Sequence, residues 1–347
     1  MLALVAAWAP AVAACSWASV SSASTRTMDW DIPLNETLLV LPRGMSMDGG
    51  LGDDPASHRW TSRYGSVVAS VGAWLRGQVS SRTGRPFDFE RDGVSDGVNE
   101  AGLAVHILEL EATRYAAARP GETCVTYFRW ARYLLDACAT VEDAIAAMEA
   151  VCVADVRGSD GVSYGVHLAV EDAAGDSVVF EVLGGSLSSF RGARALTNDP
   201  PLPAQRENLR RYRGFGGDLP LPGDVDAMSR FVRLSHFAGQ LPRGGAGVAP
   251  RLRGLIATVT VPQGALDPDD GRAYPTWWTS VVDLQSLSYH FAWAASPNMF
   301  RVDLRGLAAR GGFREGAGTQ MLDPRDAALS GEVSTRFVPV RRAALLL

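Results

Sequence analysis

The segment Thr25-Arg26-Thr27-Met28-Asp29-Trp30 follows Cys15 closely, with ten residues between the cysteine and Arg26. The thiolate is the attacking form of a cysteine, and a nearby arginine and carboxylate can tune and orient it. If cleavage exposes Cys15 as the first residue, its own α-amine, whose ordinary pKa is about 8, can accept the thiol proton. The residues alone leave a second interpretation open, in which Arg26 and Asp29 form an ordinary surface ion pair.

The residues before Cys15 bear on that cleavage. Residues 1–14 are mostly apolar and end in Val12-Ala13-Ala14, small residues typical of a signal peptide that is cut directly before Cys15. The segment is too short to span a bilayer. We expect residues 1–14 to be a signal or pro-segment removed on maturation, and the protein to be exported, periplasmic or extracellular; a pro-segment alone would leave it cytoplasmic. Two alternatives stay open: a lipoprotein signal with a lipidated Cys15, and an unprocessed first strand.

The composition excludes several other chemistries. The 347 residues are 47% hydrophobic and 20% charged, and the net charge of −5 gives no electrostatic reason to expect nucleic acid or an anionic membrane as a partner. The sequence contains no lysine, which excludes a Walker-type lysine, a Schiff base and Ser-Lys catalysis. It has no H-E-x-x-H pattern and no Rossmann glycine fingerprint that opens a helix. No cysteine stands at metal-ligand spacing from a histidine, so we expect no metal.

Four cysteines lie at positions 15, 124, 138 and 152. The sequence predicts helices over Thr123–Ala137 and over Thr140–Val151, the second beginning at a capping threonine. In an antiparallel pair of such helices Cys124 and Cys152 would lie at the same end, whereas Cys124 and Cys138 would be roughly 20 Å apart. A disulfide between Cys124 and Cys152 is compatible with an exported protein. Three buried free thiols are the alternative that the sequence leaves open.

The rest of the chain alternates strand-like and helix-like patterns without a repeat or a linker, so we expect a single domain over 15–347. The predicted strands are Leu38–Leu41, Val67–Ser70, Leu103–Leu110, Val166–Val170, Val178–Val182, Ser280–Leu284, Leu287–Trp293 and Met299–Leu304, and the predicted helices are Arg206–Tyr212 and Asp226–Gln240. Strand-rich blocks separated by helical pairs favour an α+β layered architecture. His106 and His167 fall inside apolar strands, where we expect hydrogen-bonded core residues rather than catalysts.

Seven short segments occur in a characteristic order over nearly the whole chain. They are Arg26–Trp30 (RTMDW), Leu41–Met45 (LPRGM), Tyr64–Val68 (YGSVV), Asp96–Leu103 (DGVNEAGL), Thr197–Pro200 (TNDP), Ser229–Arg233 (SRFVR) and Ser296–Asp303 (SPNMFRVD). With these segments the sequence resembles the choloylglycine hydrolase family of N-terminal-nucleophile hydrolases, which includes conjugated bile acid hydrolases and penicillin V acylases. It most resembles the penicillin-acylase-like bacterial branch of that family. The resemblance implies a four-layer αββα sandwich, in agreement with the layers predicted from the pattern.

The resemblance also implies roles for five residues. Cys15 matches the N-terminal nucleophile whose α-amine is the base, and Arg26 and Asp29 match the residues that hold the thiol and the amine. Asn198 matches the asparagine whose amide donates to the oxyanion, and Arg230 matches the distal active-site arginine. The implied reaction is hydrolysis of linear amides with an apolar acyl group, without metal or cofactor. Bile salts, phenoxyacyl β-lactams and long-chain N-acyl amines, including acyl homoserine lactones, all fit, and the family often assembles as a homotetramer.

The spacing between Cys15 and Arg26 departs from the family's pattern, because the family has several more residues there. The first hairpin must therefore be shortened, and a loss of odd length would reverse the strand faces unless the turn absorbs it. Two rivals to the enzyme stay open. One is a catalytically degenerate homologue that binds apolar ligands, and the other is an exported lipoprotein anchored through Cys15.

Two further expectations concern the substrate side of the site. Glu109 stands where the family has asparagine or tyrosine beside the oxyanion hole, and it shares a face of strand Leu103–Leu110 with Ile107. A carboxylate pointed at an oxyanion would oppose catalysis. We therefore expect position 109 to offer its backbone N–H and to turn its side chain toward the substrate entrance, favouring polar or cationic leaving groups over acidic ones such as taurine; a solvated strand-end glutamate is the alternative. The apolar acyl pocket is expected near Met45 or Trp60.

Overall fold

The computed structural model describes residues 14–75, 77–159, 161–243 and 247–340, so the predicted leader lies outside the described residues except for Ala14. The strands are β1 (Ser16–Ser19), β2 (Ala23–Asp29), β3 (Thr37–Leu41), β4 (Ser46–Asp48), β5 (Arg59–Thr61), β6 (Ser66–Ser70), β7 (Val94–Asn99), β8 (Leu103–Glu109), β9 (Thr123–Thr126), β10 (Val151–Ala154), β11 (Val166–Asp172), β12 (Ser177–Leu183), β13 (Ser186–Arg191), β14 (Ala195–Leu196), β15 (Thr276–Asp283), β16 (Ser288–Trp293), β17 (Phe300–Asp303), β18 (Gln320–Leu322), β19 (Gly331–Glu332) and β20 (Val338–Pro339). The helices are α1 (Tyr127–Ala137), α2 (Val141–Ala150), α3 (Leu202–Leu209), α4 (Ala227–Gln240), α5 (Val248–Ala257) and α6 (Leu304–Ala309).

Two large sheets pack face to face between helices. One has seven strands in the order β14-β1-β2-β15-β16-β17-β19, and the other has nine in the order β13-β12-β11-β8-β7-β6-β3-β18-β20. Tyr289 of the first sheet donates a hydrogen bond to Asp96 of the second. Helices α1 and α2 contact the nine-stranded sheet, and α4 and α5 contact the seven-stranded sheet. The predicted α+β class and four-layer αββα sandwich are confirmed.

The central strands are buried on both faces, because a helical layer covers one face and the opposite sheet covers the other. Leu38–Leu41 of β3 and Val67–Ala69 of β6 are each at most 1% exposed. These strands therefore have near-continuous apolar sequences instead of the alternation expected of a half-exposed sheet. The apolar stretches at 38–41, 67–70 and 103–110 were sufficient to predict β3, β6 and β8 within one residue at each end.

The shortened first hairpin keeps Cys15 and Arg26 on one face of the sheet. β1 pairs with β2 in antiparallel register along its whole length, with Trp17 opposite Arg26. A tight turn over residues 20–23 closes the hairpin, and Ser21 has a φ of 57°, the positive φ that two-residue hairpin turns require. Cys15 lies two residues before Trp17, so its side chain and that of Arg26 project the same way. The shortening is therefore accommodated in the turn, and the strand faces are not reversed.

The region around Cys124 differs from the prediction. Residues 123–126 form strand β9 rather than the start of a helix, and β9 pairs in parallel with β10, placing Cys124 directly opposite Cys152. The two cysteines form a disulfide, with 4.4 Å between their Cα atoms, whereas Cys15 and Cys138 are free and buried. The alternative of three free thiols is wrong for this pair. The capping box predicted at Thr140 is confirmed, with Asp143 as its partner.

We expect removal of this disulfide to destabilise the fold. The bridge closes a loop between cysteines 28 positions apart, for which the loop-entropy relation gives about 3–4 kcal/mol in the free energy of unfolding. Denaturant titration of the Cys124→Ala/Cys152→Ala double variant should show this loss. A reductant should reproduce the loss in the wild-type protein and leave the double variant unchanged; equal stability of the two proteins would contradict the prediction.

Other predicted element boundaries differ from the observed ones by a few residues. The predicted helix Arg206–Tyr212 is α3, which begins at Leu202, carries Pro203 in its first turn and ends at Leu209. Proline is favoured in the first helical turn, where its missing N–H has no partner to lose. The hairpins at 166–182 and 280–293 and helix α4 are confirmed. No helix in the described part of the chain is long and apolar enough to cross a membrane.

Candidate active site

Cys15 lies directly before β1. Its side chain is only 2% exposed. The sulfur is 3.6 Å from Arg26 Nη2, 3.7 Å from Met28 Sδ and 3.9 Å from the carbonyl oxygen of Asp29. Burial raises the pKa of the Cys15 thiol, and the positive charge of Arg26 opposes that shift. Arg26 is thus placed to stabilise the thiolate.

Arg26 and Asp29 are both buried, at 1% and 0% exposure, so the surface ion pair is wrong. They stand three residues apart on β2 and therefore project from opposite faces. Arg26 points between the sheets. Asp29 points toward the helical layer, where it accepts hydrogen bonds from Thr276 Oγ1 at 2.5 Å and Thr27 Oγ1 at 2.8 Å, and its carboxylate is 3.9 Å from Arg230.

Arg230 connects the predicted nucleophile to the predicted oxyanion residue. It projects from helix α4, which begins at the capping residue Asp226. Its Nη1 donates to the carbonyl oxygen of Cys15 at 2.7 Å and to Ser16 Oγ at 2.6 Å, and its Nη2 donates to Asn198 Oδ1 at 3.1 Å. An arginine side chain carries only hydrogen-bond donors, so the Asn198 atom that Arg230 contacts must be the amide oxygen. Nδ2 is therefore the donor end of the amide.

Asn198 Nδ2 donates to the carbonyl oxygen of Glu109 at 2.9 Å. This contact uses one of the two amide hydrogens. Glu109 lies opposite Val166 on β11, and the next residue, Leu110, donates its N–H to Gly165. Hydrogen-bonded and non-bonded pairs alternate along an antiparallel ladder, so the N–H and C=O of Glu109 point away from β11, on the same side as Asn198. Two potential oxyanion donors therefore share one edge.

The chain belongs to the choloylglycine hydrolase family. The family profile described as linear amide C-N hydrolases, choloylglycine hydrolase family, matches residues 16–308. Penicillin V acylase of Pectobacterium atrosepticum is 30% identical over 92% of this chain and 86% of its own length. A bile salt hydrolase/transferase of Bifidobacterium longum is 24% identical over 76% of this chain and 86% of its own.

Solved structures give the same family. The structure of penicillin V acylase from Agrobacterium tumefaciens superposes with a TM-score of 0.78 at 29% identity, covering 94% of this chain and 98% of that one. A variant of conjugated bile acid hydrolase from Clostridium perfringens superposes with a TM-score of 0.73 at 18% identity, covering 91% of this chain and 98% of that one, which shows a shared fold. The predicted resemblance is confirmed.

An apolar cavity of about 90 Å³ lies beside Cys15 in this choloylglycine hydrolase homologue. Its lining includes Met28, Trp30, Leu34, Val71, Trp74, Ile107, Glu109, Tyr127, Phe128 and Tyr164. The predicted contributions of Met45 and Trp60 are wrong: Met45 contacts Arg132, and Trp60 donates to Asp136. Glu109 is 7% exposed and lines the cavity, so the alternative of a solvated glutamate is also wrong.

Several residues that support the site had no signal in the sequence. Gln205, which is fully buried, donates to the carbonyl oxygens of Asn198 and Pro200 and so holds the loop that carries Asn198. Thr276, which holds Asp29, comes from a strand nearly 250 residues away along the chain. Both contacts depend on tertiary pairing, and neither residue stands in a motif. His167, predicted to be a core residue, contacts Glu181 and the carbonyl oxygen of Thr197.

Asp29 gives a testable pH dependence. Burial raises its pKa to about 7, although Arg230 opposes the shift. A pKa raised in the folded state contributes stability that is present below the ordinary value of 3.8 and is lost as the pH rises through 7. With the Ala14–Cys15 bond intact, the Asp29→Asn variant should gain stability relative to the wild type between pH 5 and 8, by about 3 kcal/mol at most. Denaturant titrations of both proteins at pH 5 and pH 8 measure the difference in their free energies of unfolding. An equal difference at the two pH values would contradict the prediction.

Proposed function

We propose that this protein is a cysteine amidohydrolase that matures by cleavage before Cys15 and hydrolyses linear amides with an apolar acyl group. One observation carries the proposal: the Cys15 sulfur lies 3.6 Å from the buried Arg26, beside an apolar cavity. Membership of a family of linear amide C–N hydrolases supports the reaction class. The relatives named as penicillin V acylases support an acylase rather than a binding protein.

The mechanism follows from the groups around Cys15. The thiol proton moves to the freed α-amine, and the thiolate attacks the amide carbonyl carbon, forming a C–S bond. The Asn198 amide and the backbone N–H of Glu109 hold the resulting oxyanion. The C–N bond then breaks, and the α-ammonium protonates the departing amine. Water hydrolyses the thioester with the α-amine as its base, releasing the acid and restoring the thiol.

The surroundings of Cys15 support a free thiol. A lipid attached to its sulfur would have to displace Arg26 and Met28, which contact that sulfur in a site that is 2% exposed. The Cys124–Cys152 disulfide supports export, because disulfides persist in oxidising compartments. Ala14 donates its N–H to the carbonyl oxygen of Asp29, and Ser16 donates its N–H to Thr27 Oγ1, which donates to the Asp29 carboxylate, so the Cys15 amine would form close to Asp29.

The cavity favours a flat or slender acyl group. The cavity beside Cys15 measures about 90 Å³, less than the roughly 150 Å³ of an engineered cavity that holds one benzene, so it would have to widen to take even one whole ring. Trp30, Trp74 and Phe128 line it with aromatic surface. An aryl or single alkyl chain fits this space better than a fused steroid, so we rank phenoxyacyl and N-acyl amine substrates above bile salts.

Glu109 is expected to select the leaving group. Its buried carboxylate would repel an acidic amine such as taurine or glycine and accept a neutral or cationic one. The isosteric Glu109→Gln variant removes only the charge. It should shift the ratio of kcat/KM values, for two amides with the same acyl group, by about tenfold toward the acidic leaving group. An unchanged ratio would remove the idea.

The first test of the function is the intact mass and N-terminal sequence of protein from an exporting host, followed by an acyl-amide panel. We expect a mature chain that begins with free Cys15 and releases amine from at least one phenoxyacyl or N-acyl substrate. A chain that keeps residues 1–14 or carries a lipid on Cys15 would overturn the mechanism. A correctly matured chain without activity on the panel would favour a ligand-binding homologue.

A further inference from the structure

A line of buried charged side chains runs from Arg26 into the space between the sheets. Asp96 on β7 lies directly opposite His106 on β8. One carboxylate oxygen of Asp96 contacts His106 Nδ1 and lies 3.7 Å from Arg26 Nη1. His106 Nε2 is 3.0 Å from Glu171 on β11. All four side chains are at most 1% exposed.

The seven-stranded sheet completes this network from the other side. Tyr289 on β16 donates to the second carboxylate oxygen of Asp96 at 2.6 Å. Ser24 Oγ on β2 is 3.1 Å from His106 Nε2, and the Trp17 ring of β1 packs 6.1 Å from the imidazole. Asp96 is therefore held by hydrogen bonds from His106 and Tyr289, one from each sheet, and by an ion pair with Arg26.

Arg26 is held from its other sides as well. Its guanidinium carbon lies 5.0 Å from the centre of a Trp278 ring, in cation–π geometry. Burial alone would lower the pKa of Arg26, but the negative charges of Cys15 and Asp96 outweigh it and raise that pKa. The orientation of Nη2 toward Cys15 thus depends on a balance between two anionic groups.

The charges in the network alternate. Burial alone would lower the pKa of His106, but Glu171 and Asp96 outweigh it and raise that pKa to about 9, so the imidazole is a cation at neutral pH. Burial alone would raise the pKa of Asp96, but His106 and Arg26 outweigh it and lower that pKa. Paired buried charges of this kind are costly to break, because a removed partner leaves the other uncompensated.

We propose that Asp96 and His106 are positioning residues that hold Arg26 for the Cys15 thiolate. Arg26 Nη1 donates to the carbonyl oxygen of Ser95 and pairs with Asp96 at 3.7 Å, while Nη2 lies 3.6 Å from the Cys15 sulfur. His106 and Tyr289 satisfy the Asp96 carboxylate, which therefore does not draw Arg26 away from the thiol. Without the imidazolium, Arg26 alone would balance Asp96, and the thiolate would lose stabilisation. The inference rests on the proposed function only in taking Cys15 as the nucleophile.

The test is the pH dependence of Cys15 alkylation by iodoacetamide, followed by mass spectrometry of the Cys15 peptide in proteins with the same N-terminus. The His106→Gln variant should move the alkylation midpoint up by about one pH unit and lower kcat about tenfold with little change in KM. His167→Gln is the matched control, because His167 is equally buried and paired with a glutamate but does not contact the Arg26 network. Its alkylation midpoint should equal that of the wild type.

Tyr289→Phe keeps the ring and removes only the donor to Asp96, so it decides the matter if His106→Gln does not fold. We expect a smaller shift in the same direction. A wild-type midpoint in a folded His106→Gln or Tyr289→Phe protein, or an equal shift in His167→Gln, would overturn the proposal. Failure of the proposed function would be seen separately. If the wild-type protein hydrolyses no substrate but only His106→Gln and Tyr289→Phe shift the alkylation midpoint, the amidohydrolase function is refuted and the positioning role is kept.

Discussion

The Cys15→Ser variant is expected to lose amide hydrolysis by about 10³-fold or more while keeping the fold of the wild type. The serine hydroxyl has a far higher pKa than the thiol, so the α-amine would deprotonate it poorly. Arg26 lies 3.6 Å from the sulfur and cannot compensate for that difference by its charge alone. Initial rates on the best substrate of the acyl-amide panel measure the loss, and thermal unfolding checks the fold.

Cys138→Ser is the matched control for this variant. Cys138 is the other free cysteine among the described residues and is also buried, and burial raises the pKa of its thiol to about 12. It lies at the end of helix α1 and does not line the cavity beside Cys15. We expect its rate to match the wild type. Substantial hydrolysis by a Cys15→Ser chain that begins at residue 15, or an equal loss in Cys138→Ser, would exclude Cys15 as the nucleophile.

The main candidate residues of the site were chosen from the sequence because all of them except Cys15 stand in short motifs. Cys15, Arg26, Asp29, Asn198 and Arg230 come from four separate parts of the chain, and the structure brings them into one connected group. The order of those motifs, rather than any single one, gave the fold. Spacing alone would have left Arg26 and Asp29 as a surface pair.

The sequence did not predict the contacts that hold these residues in place. The pairing of Asp96 with His106 depends on strand register, and their contact with Arg26 depends on how two sheets face each other. The strand at Cys124 was missed because its four residues run directly into helix α1, where the helical pattern dominates. The cavity beside Cys15 was not located from the sequence, because its walls come from separate segments between Cys15 and Val166 that have no common periodicity.

Asn198→Ala is expected to lower kcat by about 10²–10³-fold, with a smaller change in KM, because an oxyanion donor acts mainly in the transition state. The Asn198 amide is oriented before substrate arrives, by Arg230 on its oxygen and by the Glu109 carbonyl on its nitrogen. Asn198→Asp keeps an acceptor for Arg230 and loses the donor, so it separates the oxyanion role from the packing role. A loss at least as large as that of the alanine variant is expected.

Asn208→Ala controls for the loss of a buried asparagine. Asn208 is 9% exposed on helix α3 and does not line the cavity beside Cys15, so its variant should keep the wild-type kcat. A rise in KM at constant kcat for Asn198→Ala would assign Asn198 to ground-state binding instead. Normal hydrolysis by Asn198→Asp would show that the amide serves only to anchor Arg230, and the oxyanion would then depend on the backbone N–H of Glu109 alone.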